Sequence, residues 1–235
     1  MFQVLRRRQS GYGASATDFK FQGWILDLLF PIQCLSCSQE GEFICSNCLG
    51  KISLNHSIFY PKNSSLSGLL VVGSYRDPLL KEAIHKYKYD FIKDLAEPLA
   101  GLMIKKINDC PWFKENNALL VPVPLHKKRL RWRGFNQSEL LCLEINKSLN
   151  IPLINNFLIR TKHNLAQVKI KNTEQRKTNI KNTFQINLKN QIEFKNKIII
   201  LIDDVLTTGA TLEECAKTLK KAGLKEIWGL VLARG

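Results

Sequence analysis

The chain has 235 residues, 45% of them hydrophobic, which suits one medium-sized globular domain with a small appendage and excludes a wholly disordered chain. Its 35 basic against 20 acidic residues give a formal net charge of +15, which favours anionic partners such as phosphorylated metabolites, nucleic acid or acidic membrane surfaces. Part of that excess is lysine in a chain also rich in asparagine and isoleucine, a composition bias with no function attached. A membrane-spanning class is excluded, because the longest apolar run, Trp24 to Ile32, contains Asp27 and falls short of the roughly 18 to 20 residues a span takes.

Residues 1–22 read as a disordered basic lead. Arg6, Arg7 and Arg8 are not followed by the apolar stretch of a secretory signal, which leaves a transit peptide as the alternative and a soluble, cytoplasmic protein as the expectation. Next, Gly23 to Pro31 is a short apolar piece in which Trp24, Leu28 and Leu29 are spaced to pack as one helical turn. It runs into Cys34 and Cys37, then Cys45 and Cys48: two CxxC pairs separated by seven residues. Each pair can turn two thiolates toward one ion, so the four predict a closed structural Zn²⁺ site in a zinc ribbon over 23–52. A segment this small needs the metal for its stability, which is on the order of 10 to 16 kcal/mol in small zinc peptides. Disulfides fit poorly, since the total of seven cysteines is odd. Cys110, Cys142 and Cys215 read as plain apolar side chains.

Residues 53–67, rich in Asn, Ser, Pro and Lys, read as a linker, with a domain following over 68–235. Leu69 to Tyr75 predicts a strand, and Pro78 to Tyr89 and Phe91 to Ile107 predict two helices interrupted around Asp90. Lys81, Lys86 and Lys88 could face a ligand, although a solvated helix face is the simpler reading. From Ala118 an apolar strand ends in Pro122 and Pro124, then releases Lys127, Lys128, Arg129, Arg131 and Arg133 into a basic loop interleaved with Trp132 and Phe135. Such a loop could hold a pyrophosphate or stack on single-stranded nucleic acid. A turn at Gly134 to Gln137 leads to a helix over 138–149, with Leu140, Leu141, Leu143 and Ile145 available to a core. Residues 160–182 are polar, basic and without period.

The chain then reaches its most informative stretch, KIIILIDDVLTTGAT over 197–211. A β-branched run, Ile198 to Ile202, predicts a buried parallel strand. Asp203 and Asp204 follow it, then the hydroxyl loop Thr207, Thr208, Gly209, Ala210 and Thr211. The helix beyond has Leu212, Cys215, Ala216, Leu219 and Ala222 on one face, Thr211 as its expected N-cap and Gly223 as its stop. A loop feeding a helix N-terminus suits a phosphate, and carboxylates beside it suit sugar hydroxyls or a hydrated Mg²⁺, so the unit predicts a ribose-phosphate site. No GK[ST] follows Gly209, which rules out a Walker A loop. Glu226 to Ala233 predicts a further strand.

DDVLTTGAT after a run of aliphatics resembles the phosphoribosyl diphosphate (PRPP) signature of type I phosphoribosyltransferases. VPVPLHKKRLRWRGFNQ, over 121–137, resembles the ComF family of competence proteins, which join a short cysteine-rich segment to a phosphoribosyltransferase-like domain. The resemblance spans roughly Trp24 to Arg234. It implies an α/β fold with a parallel sheet of the type I phosphoribosyltransferase kind, flanked by helices and preceded by the four-cysteine zinc ribbon. It also implies that Asp203 and Asp204 contact ribose hydroxyls, that Thr207 to Thr211 hold the 5′-phosphate, and that Mg²⁺ accompanies PRPP. Arg133 joins this set, and Arg160, Lys162, Gln167, Arg176 and Asn179 fall where type I enzymes carry a mobile loop over the ligand. Two functions are compatible with the resemblance. One is a ribose-phosphate-binding protein in DNA uptake during natural transformation, with single-stranded DNA and a competence helicase as partners. The other is a phosphoribosyltransferase of nucleotide or amine metabolism with no DNA role.

Overall fold

The structure, a computed structural model, describes residues 31–115, 117–161, 180, 182–187 and 197–235. The basic lead and the turn around Trp24 lie outside these residues, as do Lys162, Gln167, Arg176 and Asn179. The chain divides into two units, one ending at Lys51 and one running from Ile52 to Gly235.

In the first unit Cys34 and Cys37 lie on a tight turn. Gln33 and Glu40 bridge its base, the Cys34 N–H donates to the Gln39 carbonyl at 2.8 Å, and the Ser38 N–H donates to the Cys34 carbonyl at 3.0 Å. The second cysteine pair straddles the start of helix α1, Ser46–Gly50, with Cys45 at the N-cap and Cys48 buried within the helix.

The second unit has strands β1 (Ile58–Phe59), β2 (Gly68–Ser74), β3 (Leu119–Pro122), β4 (Leu158–Arg160), β5 (Phe184–Ile186), β6 (Ile198–Leu206) and β7 (Glu226–Arg234). Its helices are α2 (Pro78–His85), α3 (Ala96–Asn108), α4 (Trp112–Glu115), α5 (Lys127–Arg133), α6 (Gln137–Leu149) and α7 (Ala210–Lys221). The main sheet has the order β1-β2-β7-β6-β3, parallel except for β1, while β4 and β5 form a separate antiparallel pair. Strands buried on both faces need apolar side chains at every position, which the aliphatic runs of β2, β6 and β7 supply.

Strand side chains alternate between faces, so Leu69, Val71, Val121, Ile199, Leu201 and Val231 share one face and form a core with Leu212, Cys215, Ala216 and Leu219 of α7. On the other face α3 covers β2 and β7, and α6 covers β3 and β6. Gly229 of β7 lets this packing close, because a Cβ there would stand 2.8 Å from Leu69 Cδ1 and 3.3 Å from Leu212 Cδ1.

From β3 the chain passes through α6 to a short parallel segment on the outer edge of β3. There the Leu120 N–H donates to the Pro152 carbonyl at 2.8 Å, and the Ile154 N–H to the Leu120 carbonyl at 2.9 Å. From β6 it passes through α7 the other way, to β7. The direction of winding therefore reverses between β3 and β6, and the crevice at their carboxyl ends is the switch point where open α/β sheets take ligands.

Three sequence expectations are revised. Residues 53–67 do not behave as a bare linker: β1 pairs antiparallel with β2, Leu66 is buried, and Glu213 of α7 accepts hydrogen bonds from Ser64 Oγ and the Ser65 N–H. The basic segment after β3 is helix α5 rather than an open loop, because His126 caps it, with Nδ1 accepting from the Lys128 N–H at 3.2 Å, and Gly134 ends it at φ 81°. The N-cap of α7 is Gly209, not Thr211. Gly209 takes φ 75°, the chain turns there, and Thr211 falls in the first helical turn.

Candidate functional site

The site begins with unequal ladders on either side of β6. Pairing with β3 reaches Ile202 opposite Pro122, whereas pairing with β7 continues to Leu206 opposite Arg234. The last bond between these strands is donated by the Val123 N–H to the Ile202 carbonyl at 2.9 Å; beyond it the Val123 carbonyl accepts from Asn136 Nδ2 and Pro124 has no N–H to offer, so β6 runs on with one edge open to the crevice. Asp203 and Asp204 occupy this overhang.

Alternation sends the two carboxylates to opposite sides. Asp204 is buried, and its Oδ1 accepts from Lys88 Nζ at 2.8 Å. Asp203 Oδ1 accepts from the Asp204 N–H at 2.9 Å and lies 3.5 Å from Ser138 Oγ at the start of α6. Burial pushes Asp203 up to about 7, reinforced by the charge of Asp204 and opposed by Lys88, the Asp204 N–H and Arg160. Near neutral pH Asp203 is therefore close to half protonated.

Lys88 belongs to a π turn, Lys86–Asp90, that continues α2 and ends at Phe91 in the left-handed conformation, φ 59°. Tyr87 anchors the turn, its hydroxyl donating to the Gln137 carbonyl at 2.9 Å. Of the three lysines singled out in sequence, Lys81 is exposed, Lys86 pairs with Glu82 and Asp90 on the surface, and Lys88 enters the site. Helical spacing did not identify Lys88, because a π turn shifts the inward face by one residue.

Arg133 closes α5 with its guanidinium 5.9 Å from the ring centres of both Tyr89 and Trp132. Burial pulls it below its usual value, against the charge of Asp204, and its Nε is buried with no hydrogen-bond partner among the described residues. Arg160 of β4 has the same character: it lies over the Phe184 ring at 5.5 Å, its Nε is likewise unpartnered, and burial and Arg129 depress it while Asp203 acts the other way. Two half-sequestered guanidiniums with unused donors therefore flank the acid pair, and such donors match phosphate or carboxylate oxygens. On the far side, Thr207 is exposed and Thr208, Gly209, Ala210 and Thr211 are partly covered, where α7 starts. The Ala210 N–H reaches Thr208 Oγ1 at a long 3.4 Å, and the first N–H groups of a helix have no intrahelical acceptor, so this end favours an anion.

In the N-terminal unit the four Sγ atoms of Cys34, Cys37, Cys45 and Cys48 lie within 4.8 Å of one another. Cys37 Sγ is 3.6 Å from Cys45 Sγ, close to the about 3.8 Å edge of a tetrahedron with metal–sulfur distances of about 2.3 Å. Burial opposes ionisation of Cys34, but backbone N–H groups of Cys37, Cys45 and Ser36 outweigh it and bring the thiol down to about 6. The four cysteines could hold a metal ion.

An open parallel sheet with an acid pair on the overhanging strand and a hydroxyl turn opening the next helix defines a phosphoribosyltransferase-fold domain, and the family described as phosphoribosyl transferase domain matches residues 152–235. Competence protein F of Haemophilus influenzae is 32% identical over 214 residues, covering 87% of this chain and 86% of the relative. DNA utilization protein YhgH of Escherichia coli is 30% identical over 169 residues, 69% of this chain and 70% of the relative. Competence protein ComFC of Bacillus subtilis is 29% identical over 186 residues, 79% and 69% respectively. The chain belongs to the ComF family of competence proteins. No helix among the described residues is long and apolar enough to cross a membrane.

Asp203 generates a pH dependence whose sign is set by its raised value. A carboxyl that holds its proton more tightly folded than unfolded adds stability below about pH 4 and loses it as pH rises through about 7. Denaturant unfolding at a series of pH values should show stability falling across this window, by on the order of 4 kcal/mol at most. Asp203→Asn should flatten the fall, and an unchanged profile in that variant would assign it to other groups.

Proposed function

We propose that this protein binds PRPP or a related ribose phosphate at the carboxyl end of β6, and that it serves DNA uptake during natural transformation from the cytoplasm. The observation carrying this reading is the placement of Asp203 and Asp204 beside the start of α7 at the switch point. In it Asp203 and Asp204 accept the ribose hydroxyls, Thr207, Thr208, Gly209, Ala210 and Thr211 receive the 5′-phosphate, and Arg133 meets the diphosphate. Arg160 is held in β4 by its pairing with Phe184 rather than in a mobile loop, and offers its unused donor to the same anion; Lys162, Gln167 and Arg176 are further candidates to contact its phosphates. Mg²⁺ would accompany the ligand, since it prefers oxygen ligands of the kind a diphosphate offers. The unused donors of Arg133 and Arg160 also suit a departing diphosphate, which favours turnover as a second reading.

Titration calorimetry with PRPP and Mg²⁺ should give binding that falls about a hundredfold in the Asp203→Asn, Asp204→Asn double variant, for two charge-assisted hydrogen bonds of roughly 1.5 kcal/mol each. An unaffected double variant would displace the site from β6. Release of pyrophosphate in the same sample would identify a transferase, and binding without release a binding protein.

The DNA role draws on the names of the relatives, competence proteins and a DNA utilization protein. It draws also on α5, where Trp132 is 61% exposed and Tyr89 46% exposed beside Arg133, rings and cations on which bases of a single strand could stack. Single-stranded DNA affinity should fall linearly in log–log with salt, with a slope of about −0.7 per phosphate contacted, and should weaken in Trp132→Ala. A salt-independent signal would count against this surface.

Zn²⁺ on Cys34, Cys37, Cys45 and Cys48 would be structural, since four thiolates leave no open position, and the unit it holds would dock a competence helicase. Chelation should expose residues 34–51 to protease while the second unit keeps its melting temperature. An unchanged digestion pattern would sink the structural role.

A further inference from the structure

The Lys88–Asp204 contact is a costly feature. Both side chains are largely withdrawn from water, Lys88 18% and Asp204 12% exposed. A buried ion pair does not stabilise a fold more than a well-packed apolar pair of the same size would. The protein nevertheless spends a π turn, a rare element found mostly at functional sites, on aiming this lysine inward. The turn is fixed from three directions: Tyr87 bonds to the Gln137 carbonyl, Lys86 pairs with Glu82 and Asp90, and Phe91 takes φ 59° to end it. Lys88 also lies outside the residues that match the phosphoribosyl transferase domain.

The position of the ammonium gives its chemistry. It stands 2.8 Å from Asp204 Oδ1, on the flank of adjacent carboxylates where a divalent cation would otherwise be attracted. Although burial opposes it, the charges of Asp204 and Asp203 hold Lys88 above its ordinary value, so it stays an ammonium. The other charged and titratable groups acting on these side chains are Arg133 from α5, Arg160 from β4, Tyr87 and Tyr89 from the π turn and Cys215 from α7. Of the cations, Lys88 makes the ion-pair contact with Asp204.

We propose that Lys88 is the built-in counter-ion of the Asp203–Asp204 pair, a positioning residue that fixes Asp204 to accept a ribose hydroxyl and takes the place of a divalent cation there. This rests on the ribose-phosphate reading of the site. It follows that the sugar end of the ligand is held without a metal, and that any requirement for Mg²⁺ comes from the diphosphate alone.

The test uses the full chain, zinc-loaded, in buffer freed of other divalent ions. The first probe is ribose 5-phosphate, which has no diphosphate. The wild-type protein should bind it equally, within about twofold, with and without Mg²⁺. Lys88→Gln, which keeps a hydrogen-bond donor but no charge, should lose about tenfold in affinity without Mg²⁺ and regain part of it when Mg²⁺ is added. Lys88→Arg should keep the indifference to Mg²⁺. A wild-type protein that needs Mg²⁺ for ribose 5-phosphate, or a Lys88→Gln variant that binds like wild type, would overturn the proposal.

The second probe is Mn²⁺ alone, followed by electron paramagnetic resonance. Lys88→Gln should bind Mn²⁺ at least about tenfold more tightly than wild type and lose that gain when Asp204→Asn is added. Equal Mn²⁺ binding by wild type and Lys88→Gln would overturn the proposal by a route that involves no sugar. If wild type binds no ribose phosphate while the Mn²⁺ results hold, the ribose-phosphate reading falls and the counter-ion assignment stands.

Discussion

Much of this structure depends on where one ladder stops. β6 is clasped between β7 and β3, but its bonds to β3 end with the Val123 N–H on the Ile202 carbonyl, while its pairing with β7 continues to Arg234. A parallel strand buried on both faces cannot carry carboxylates in its middle without a large desolvation cost. Its overhang can, because one edge is open and cations from other elements reach it. Lys88 bonds to Asp204, while Arg133 and Arg160, from two other parts of the chain and partly withdrawn from water, act on Asp204 and Asp203 respectively through their charge. The fold and the site are thus one problem, in which the aliphatic run of β6 makes the sheet and the end of its pairing makes the crevice.

Legibility from sequence followed the same division. The stretch from Lys197 to Thr211 shows its strand, acids and hydroxyl turn directly, since each is encoded by local composition. The parallel sheet with helices on both faces and the four-cysteine cluster were equally open to reading, and both are present. What sequence obscured depends on contacts between distant residues. Residues 53–67 look like a linker because their stabilising partners, β2 and Glu213, are remote in the chain. The start of α7 was misplaced by two residues, since a hydroxyl residue and a glycine compete for the cap and the positive φ decided it. Lys88 is named in sequence beside Lys81 and Lys86 but cannot be told from a solvated helix face there, because its inward direction arises from a π turn, which 3.6-residue periodicity cannot signal.

The excess of positive charge takes on meaning once placed. Lys86 and Lys147 pair with nearby acids on the surface and act locally, whereas Arg133 and Arg160 have rings beneath them and donors unused. A guanidinium resting on an aromatic face is already oriented and partly desolvated, so it loses less on meeting an anion than a lysine waving in water would. Net charge therefore says little about this protein, and the few cations withdrawn from solvent say more.

The π turn at Lys86–Asp90 has a consequence for how this part of the chain can vary in length. Such a turn holds one more residue than an α-helical turn spanning the same ends. Deleting any one residue between Lys86 and Asp90 would let an ordinary α-helical turn span the same ends, with the side chains left inside it redistributed at about 100° per residue around the axis. Tyr87 and Lys88 could then no longer both point inward, and the acid pair would lose its partner although no site residue had been substituted. Chain length in these five residues is thus as much a determinant of the site as their chemical identity, and an insertion or deletion here should be tolerated far less than one in the exposed turn after β1.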